Sequence, residues 1–175
     1  MEQKKKNIVL IGFMGCGKTS VGIKLSYRLK YPFCDTDRQI EKMQGKSISE
    51  IFASEGEAPF RQMETDCINK LINDSGSSTY IFSTGGGTPV KEENRELLKQ
   101  LGTVIYLKVS SDVVYNRLKG DTSRPLLQTD NPKARIDELL EMRKDAYESA
   151  ADIVIDTDGK NLEDIVEEIA ALVEK

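Results

Sequence analysis

Five short apolar runs, at residues 8–11, 33–34, 79–82, 103–107 and 153–155, are separated by stretches whose apolar positions recur at helical spacing. Behind the first run, Val21, Leu25 and Leu29 predict a helix over residues 17–30, which must stop ahead of Pro32 because a residue before proline avoids helical geometry. Ser47-Ile48-Ser49-Glu50 reads as a capping box opening a second helix. The segment 55–59 reads as a break, with Pro59 as the first residue of the helix that carries Phe60, Met63, Glu64 and Cys67. Residues 74–78 form a polar turn before the third run, and a helix begins near Lys91. Short and long helices are predicted over 111–118 and 133–149, and Asn161 caps a last amphipathic helix through Leu162, Ile165, Val166, Ile169 and Leu172. Strands alternating with helices predict an α/β fold: a parallel sheet covered on both faces, with its ligand site at the carboxyl ends of the strands.

Residues 119–132 break the pattern. They contain Gly, Asp and Pro with almost no periodicity apart from Leu126-Leu127, and a long loop in a compact domain is often a lid. The 175 residues suit one α/β domain with a full core and leave no room for a second independent one. A net charge of −4 argues against broad binding to nucleic acid, which normally needs a basic face. No stretch approaches 18 apolar residues, so no membrane span is expected. Lys4-Lys5-Lys6 followed by an apolar run imitates a secretory signal, but cleavage near Cys16 would destroy the glycine-rich stretch it interrupts; a cytoplasmic location is the expectation. Cys16, Cys34 and Cys67 are odd in number and have no C-x-x-C spacing, so neither a disulfide framework nor a zinc site is suggested.

The chemistry starts at Gly12-Phe13-Met14-Gly15-Cys16-Gly17-Lys18-Thr19, which follows the first apolar run and matches G-x-x-x-x-G-K-[ST]. Such a loop turns successive backbone N–H groups toward phosphate oxygens, and the next helix adds its positive end. Gly15, Cys16, Gly17, Lys18, Thr19 and Ser20 are therefore candidate nucleotide ligands, with Lys18 on the β/γ-phosphates and the Thr19 hydroxyl on Mg²⁺. Cys16, at a helix N-terminus, is a candidate for a reactive thiol. The loop alone allows a small-molecule kinase, a GTPase-like switch or a motor-type ATPase. Asp156-Thr157-Asp158-Gly159 fits D-x-x-G, but no N-K-x-D follows, and Ile153-Val154-Ile155-Asp156 comes too late to be the metal-holding strand. Asp35-Thr36-Asp37 is the stronger acid pair, since it ends the strand closest in sequence to the loop.

In order, the chain presents the loop, Asp35-x-Asp37, Phe60-Arg61-x-x-Glu64, Gly85-Gly86-Gly87, Arg124-Pro125-Leu126-Leu127, and Arg143 with Tyr147 and Ala151-Asp152. This set resembles the shikimate kinase family over residues 8–162. The resemblance implies a nucleoside monophosphate kinase-like fold, strand order 2-3-1-4-5, and ATP-dependent phosphorylation of the 3-hydroxyl of shikimate. It implies that Arg61 and Arg143 clamp the substrate carboxylate, that Gly85, Gly86 and Gly87 approach the substrate through their backbone, and that Asp37 orients the attacking oxygen. Asp35 would join Thr19 around Mg²⁺, Arg124 on the lid would neutralise the transferred phosphoryl, and Arg117 and Asn161 would lie on the adenine side. Glu64 would fix Arg61, and residues 36–74 would supply the substrate-binding helices. Phe52 and Phe60 match pocket positions, but they equally suit a core.

The chain has no histidine, so any proton acceptor must be a carboxylate, and Asp37 is the natural choice. Leu162 stands where the family often has proline. A gluconate kinase on the same scaffold is the nearest alternative, since its acceptor shares the carboxylate and hydroxyls. A nucleotide-binding module without catalysis would lack one of Lys18, Asp35, Asp37 or Arg124, and all four are present. A closing lid implies a monomer working as a hinge.

Overall fold

The computed structural model describes residues 6–74 and 76–175. Lys4 and Lys5 of the basic run, and Ser75 of the expected turn, lie outside the described residues. A five-stranded parallel sheet forms the centre, built from β1 (Asn7–Ile11), β2 (Phe33–Asp35), β3 (Ile81–Ser83), β4 (Gly102–Lys108) and β5 (Ile153–Asp156), in the order β2-β3-β1-β4-β5. All five residues of β1 are buried, as a central parallel strand covered on both faces requires.

Eight α-helices surround this sheet among the described residues: α1 (Lys18–Leu29), α2 (Thr36–Gln44), α3 (Ile48–Glu55), α4 (Glu57–Asp74), α5 (Glu92–Leu101), α6 (Ser111–Leu118), α7 (Pro132–Ala150) and α8 (Leu162–Val173). From β1 the chain moves one way to reach β2, and from β3 it crosses back over β1 to reach β4. Right-handed crossovers then place α1 and α5 on opposite faces. Accordingly α1 packs with α8, while α5 packs with α4 and α7. The reversal leaves a crevice beyond the carboxyl ends of β1 and β3, where ligands of open α/β sheets bind.

The capping box forms as expected, with Glu50 N donating to Ser47 Oγ at 3.1 Å and Ser47 N to Glu50 Oε2 at 3.3 Å. Two boundaries move. α4 starts at Glu57 rather than Pro59, because Gly56 alone, at φ 86°, closes α3. Proline is tolerated in the first turn, where its missing N–H would have had no helical partner. β3 starts at Ile81 rather than Thr79, and the Tyr80 amide bonds the Asn7 side chain at 2.9 Å instead of joining the ladder. Residues 119–132 are largely irregular, with one 3-10 turn at Pro125–Leu127.

The apolar side chains form two bodies. The larger spans the sheet and the helices against it. The smaller, Ile40, Ile51, Phe60 and Cys67, belongs to α2, α3 and α4.

Candidate active site

The loop joining β1 to α1 holds Gly15 and Gly17 at φ 77° and 97°, left-handed values that glycine adopts without the clash a Cβ would bring. Gly17 is the N-cap of α1, and no side chain caps that helix. Its first N–H groups remain free for an anion. Lys18 is buried, with Nζ donating to Gly12 O at 2.6 Å and Phe13 O at 3.1 Å, so its ammonium rests on the loop it serves. Thr19 and Ser20 occupy the exposed first turn. Arg117 Nη1 donates to Gly15 O at 2.9 Å, buttressing the loop from α6.

Cys16 departs from expectation. Its side chain is 2 % exposed, turned under the loop toward Lys18, so the helix N-terminus meets a thiol that reagents in water do not reach.

Above the loop lies a cavity of about 620 Å³, bounded by Gly15, Cys16, Gly17, Lys18, Thr19, Ser20, Asp35, Arg117 and Leu162 among others. Asn161 does not line it. Its side-chain oxygen accepts from Asp164 N at 2.8 Å and caps α8; Lys160 and Leu162 form the wall on either side of it.

A second cavity, about 510 Å³, opens between the 119–132 loop, α7 and the α2–α4 segment. Arg61, Gly87 and Arg143 line it, together with Phe52 and Phe60. Phe60 suits both expected roles, since it also belongs to the smaller core and meets Phe52 with tilted rings 5.0 Å apart. Met14, Asp35, Asp37, Gly85, Gly86 and Arg124 border both cavities. The two spaces therefore meet at one carboxylate pair and one guanidinium.

Arg61 Nη1 donates to Glu64 Oε1 at 2.5 Å, as expected of a partner that fixes it, and Nη2 donates to Glu57 Oε1 at 3.1 Å. Glu64 is buried at 2 % exposure and also accepts from Thr88 Oγ1. Thr88 is held in turn by Asn94, whose Nδ2 donates to Thr88 O at 3.0 Å. A Cβ on Gly87 would overlap the Arg61 guanidinium, and one on Gly85 would fall 2.8 Å from Asp37 Oδ1. Glycine is what lets these side chains and the backbone share one wall.

Arg143 is 5 % exposed, and its Nη1 has no hydrogen-bond partner among the described residues. Its guanidinium lies 5.7 Å from the Phe13 ring centroid, a cation–π contact between α7 and the phosphate loop. One turn on, Tyr147 Oη donates to Gly86 O at 2.5 Å.

Asp37 is half-buried as a residue, yet its Oδ1 is fully out of solvent and has no hydrogen-bond partner among the described residues. Burial pushes its carboxyl up to about 7; Glu64 and Asp35 add to the rise, and Lys18 and Arg124 pull against it. Asp35 caps α2 through Oδ1, which accepts from Asp37 N at 3.0 Å and Arg38 N at 3.4 Å. Both bonds use one oxygen, leaving Oδ2 for another ligand. Among the described residues no group of three or more His, Cys, Asp or Glu side chains is placed to cage a metal. One carboxylate beside a hydroxyl suits Mg²⁺, which keeps most of its waters and draws further ligands from substrate phosphates.

Arg124 stands on the 119–132 loop, with Nε 3.7 Å from Asp121 Oδ2, and Asp121 Oδ1 accepts from Ser123 N and Oγ. Tyr147 stands in the motif set without an assigned task, while Phe13, Thr88 and Lys160 carry a ring contact, a hydrogen bond and cavity wall that no motif assigns to them. Only Tyr147 left a usable signal, since Arg143 and Tyr147 at i, i+4 must share a helix face.

A phosphate loop at the head of the central strand, opening onto an arginine-lined cavity that shares Asp37 and Arg124 with it, defines a phosphotransferase acting on a small anionic acceptor. The sequence model of the shikimate kinase family matches residues 14–174. A shikimate kinase of Thermodesulfovibrio yellowstonii is 48 % identical over 164 residues, covering 94 % of this chain and 92 % of that one. The structure of shikimate kinase from Acinetobacter baumannii in complex with shikimate superposes with a TM-score of 0.90 at 38 % identity, over 97 % of this chain and 93 % of that one. A gluconokinase from Sinorhizobium meliloti shares the fold, with a TM-score of 0.60 at 20 % identity over 99 % and 96 % of the two chains. The chain belongs to the shikimate kinase family, and it is a small-molecule kinase.

Proposed function

We infer that this chain transfers the γ-phosphoryl group of ATP to the 3-hydroxyl of shikimate, giving shikimate 3-phosphate and ADP on the route to chorismate and the aromatic amino acids. The observation that carries the reading is the shared wall: the nucleotide cavity and the Arg61/Arg143 cavity meet at Asp37 and Arg124. In that arrangement the shikimate carboxylate pairs with Arg61 and Arg143 by charge-assisted bonds, for which the unpartnered Nη1 of Arg143 is ready. The ring hydroxyls then face Asp37 and the backbone of Gly85, Gly86 and Gly87.

The Asp37 carboxylate accepts the proton of the 3-hydroxyl as that oxygen attacks the γ-phosphorus, and the bond from the γ-phosphorus to the β,γ-bridging oxygen breaks to release ADP. Lys18, leaving the loop carbonyls, holds the β/γ oxygens, and Arg124 neutralises charge on the phosphoryl as the lid closes. Thr19 and Asp35 would hold Mg²⁺, which neutralises phosphate charge when bound. Arg117 and Leu162 border the adenine end of the cavity. The chain works as one domain, in which residues 36–74 receive the acceptor and residues 119–132 close. No described helix is long and apolar enough to cross a membrane, and we place the enzyme in the cytoplasm as a monomer.

The test is ADP release with ATP and Mg²⁺, comparing shikimate, gluconate and no acceptor. Turnover with shikimate alone is expected. Turnover with gluconate, or with none of the three, overturns the acceptor assignment. Arg143→Ala is expected to raise the KM for shikimate about 10- to 100-fold, the worth of one or two charge-assisted bonds, and to leave the KM for ATP within about twofold. A parallel rise in both constants would contradict the clamp.

A further inference from the structure

Tyr147 is wholly buried, its ring stacked on Tyr106 at a centroid distance of 5.0 Å, and it carries a polar hydroxyl into that interior. A buried phenol needs a partner, and Tyr147 has found one far away in the chain: Gly86 O, the middle carbonyl of the triple-glycine loop, at 2.5 Å. Gly86 is also where that loop meets the phosphate loop, since a Cβ there would lie 3.1 Å from Met14 N. On the same face of α7, four residues earlier, sits Arg143, packed over Phe13 of the phosphate loop. The Arg143 charge is felt at the Tyr147 hydroxyl, where it opposes the rise that burial imposes on the phenol. One hydroxyl thus stands beside two separate pieces of the acceptor wall, a backbone segment from β3 and a guanidinium from α7.

We propose that Tyr147 is a positioning residue for the acceptor: its hydroxyl pins the Gly86 peptide against α7 and so sets the spacing between the triple-glycine loop and Arg143. The inference rests on the reading of Arg143 and residues 85–87 as the shikimate site. Glycine at three successive positions gives that loop its close approach and also its freedom, because glycine chains have the widest choice of backbone conformations. A loop that must present N–H groups to a substrate needs an external restraint, and the Gly86 carbonyl is where α7 applies it. The same bond fixes the peptide plane whose N–H belongs to Gly87, beside Arg61. Tyr147 touches no reacting atom in this scheme and acts only through the groups it holds.

The variant is Tyr147→Phe, which removes the hydroxyl and keeps the stacked ring. The variant loses one buried hydrogen bond and keeps the packing of the ring, a loss small beside the stability of a whole domain, so it folds. Tyr106→Phe serves as control, since it removes a phenol from the same stack without touching the Gly86 bond. The constants are read for shikimate and ATP below the melting temperature of every variant. Tyr147→Phe is expected to raise the KM for shikimate about tenfold, with the KM for ATP within about twofold, while Tyr106→Phe leaves both unchanged. In an Arg143→Ala background the further loss from Tyr147→Phe is expected to shrink to about threefold or less, since one of the two pieces it aligns is gone. A KM for shikimate changed by less than about threefold, equal rises in both constants, or an undiminished effect in the Arg143→Ala background overturns the proposal while leaving the acceptor assignment standing. A wild-type enzyme that does not turn over shikimate overturns both together.

Discussion

Asp37→Asn should lower kcat on the order of 10²- to 10⁴-fold and at the same time make the protein harder to melt above pH 7. Both effects have one origin. The Asp37 carboxyl is pushed up to about 7, first by burial and then by Glu64 and Asp35, although Lys18 and Arg124 oppose the rise. Between the ordinary carboxylate range and about 7 the folded state keeps a proton that the unfolded chain has released. Stability from this group is therefore greatest below pH 4 and is lost as pH rises through 7. Asparagine never ionises and escapes that loss. Solvent reaches part of the residue, so the gain at pH 8 is expected on the order of 1–3 kcal/mol, or roughly 3–10 °C in Tm, fading to nothing near pH 4. Conversely, wild-type kcat/KM for shikimate should fall as pH drops through about 7, because the protonated carboxyl cannot accept the hydroxyl proton. Thermal melts at pH 4 and pH 8 check the first half, and a pH–rate profile checks the second. Equal melting temperatures of the two proteins at pH 8 would show that Asp37 ionises as an ordinary carboxyl.

Arg124→Ala should cut kcat on the order of 10³-fold, with the KM for ATP and for shikimate each within a few-fold of wild type. The guanidinium borders both cavities, and among the described residues its one salt bridge is a 3.7 Å contact with Asp121 in the same loop. A half-exposed pair at that distance holds by about 1 kcal/mol at most, so on the proposed reading the arginine leaves it at little cost when the loop closes over the site. Tm should stay within about a degree, since little else depends on this side chain. Arg124→Lys should recover part of kcat, because the charge returns without the planar fork. Steady-state kinetics of the three proteins decide the matter, and a loss confined to the KM for ATP would make Arg124 a nucleotide anchor instead.

Much of the site could be read from the sequence because it is written locally. The phosphate loop is eight consecutive residues after an apolar strand, and the capping box at Ser47 is four. The Arg61 to Glu64 bond follows from i, i+3 geometry on one helix. What escaped depends on partners distant in sequence. The Tyr147 hydroxyl meets a carbonyl 61 residues away, and Thr88 meets a carboxylate 24 residues away. Nothing in the neighbourhood of either residue announces its partner. Asn161 shows the opposite difficulty: its local signal, a helix cap, is what its side-chain oxygen does, and the residue stands outside the cavity wall that Lys160 and Leu162 form. Cys16 likewise sits at a helix N-terminus, and only the packing of the loop reveals that it faces inward.

The small cluster of Ile40, Ile51, Phe60 and Cys67 ties α2, α3 and α4 to one another, while Ile68 of α4 seats the group in the large core under the sheet. On the proposed reading, side chains of α2 and α3 that face the acceptor can be repacked around this small cluster, while Ile68 holds α4 in register with the sheet that carries the phosphate loop.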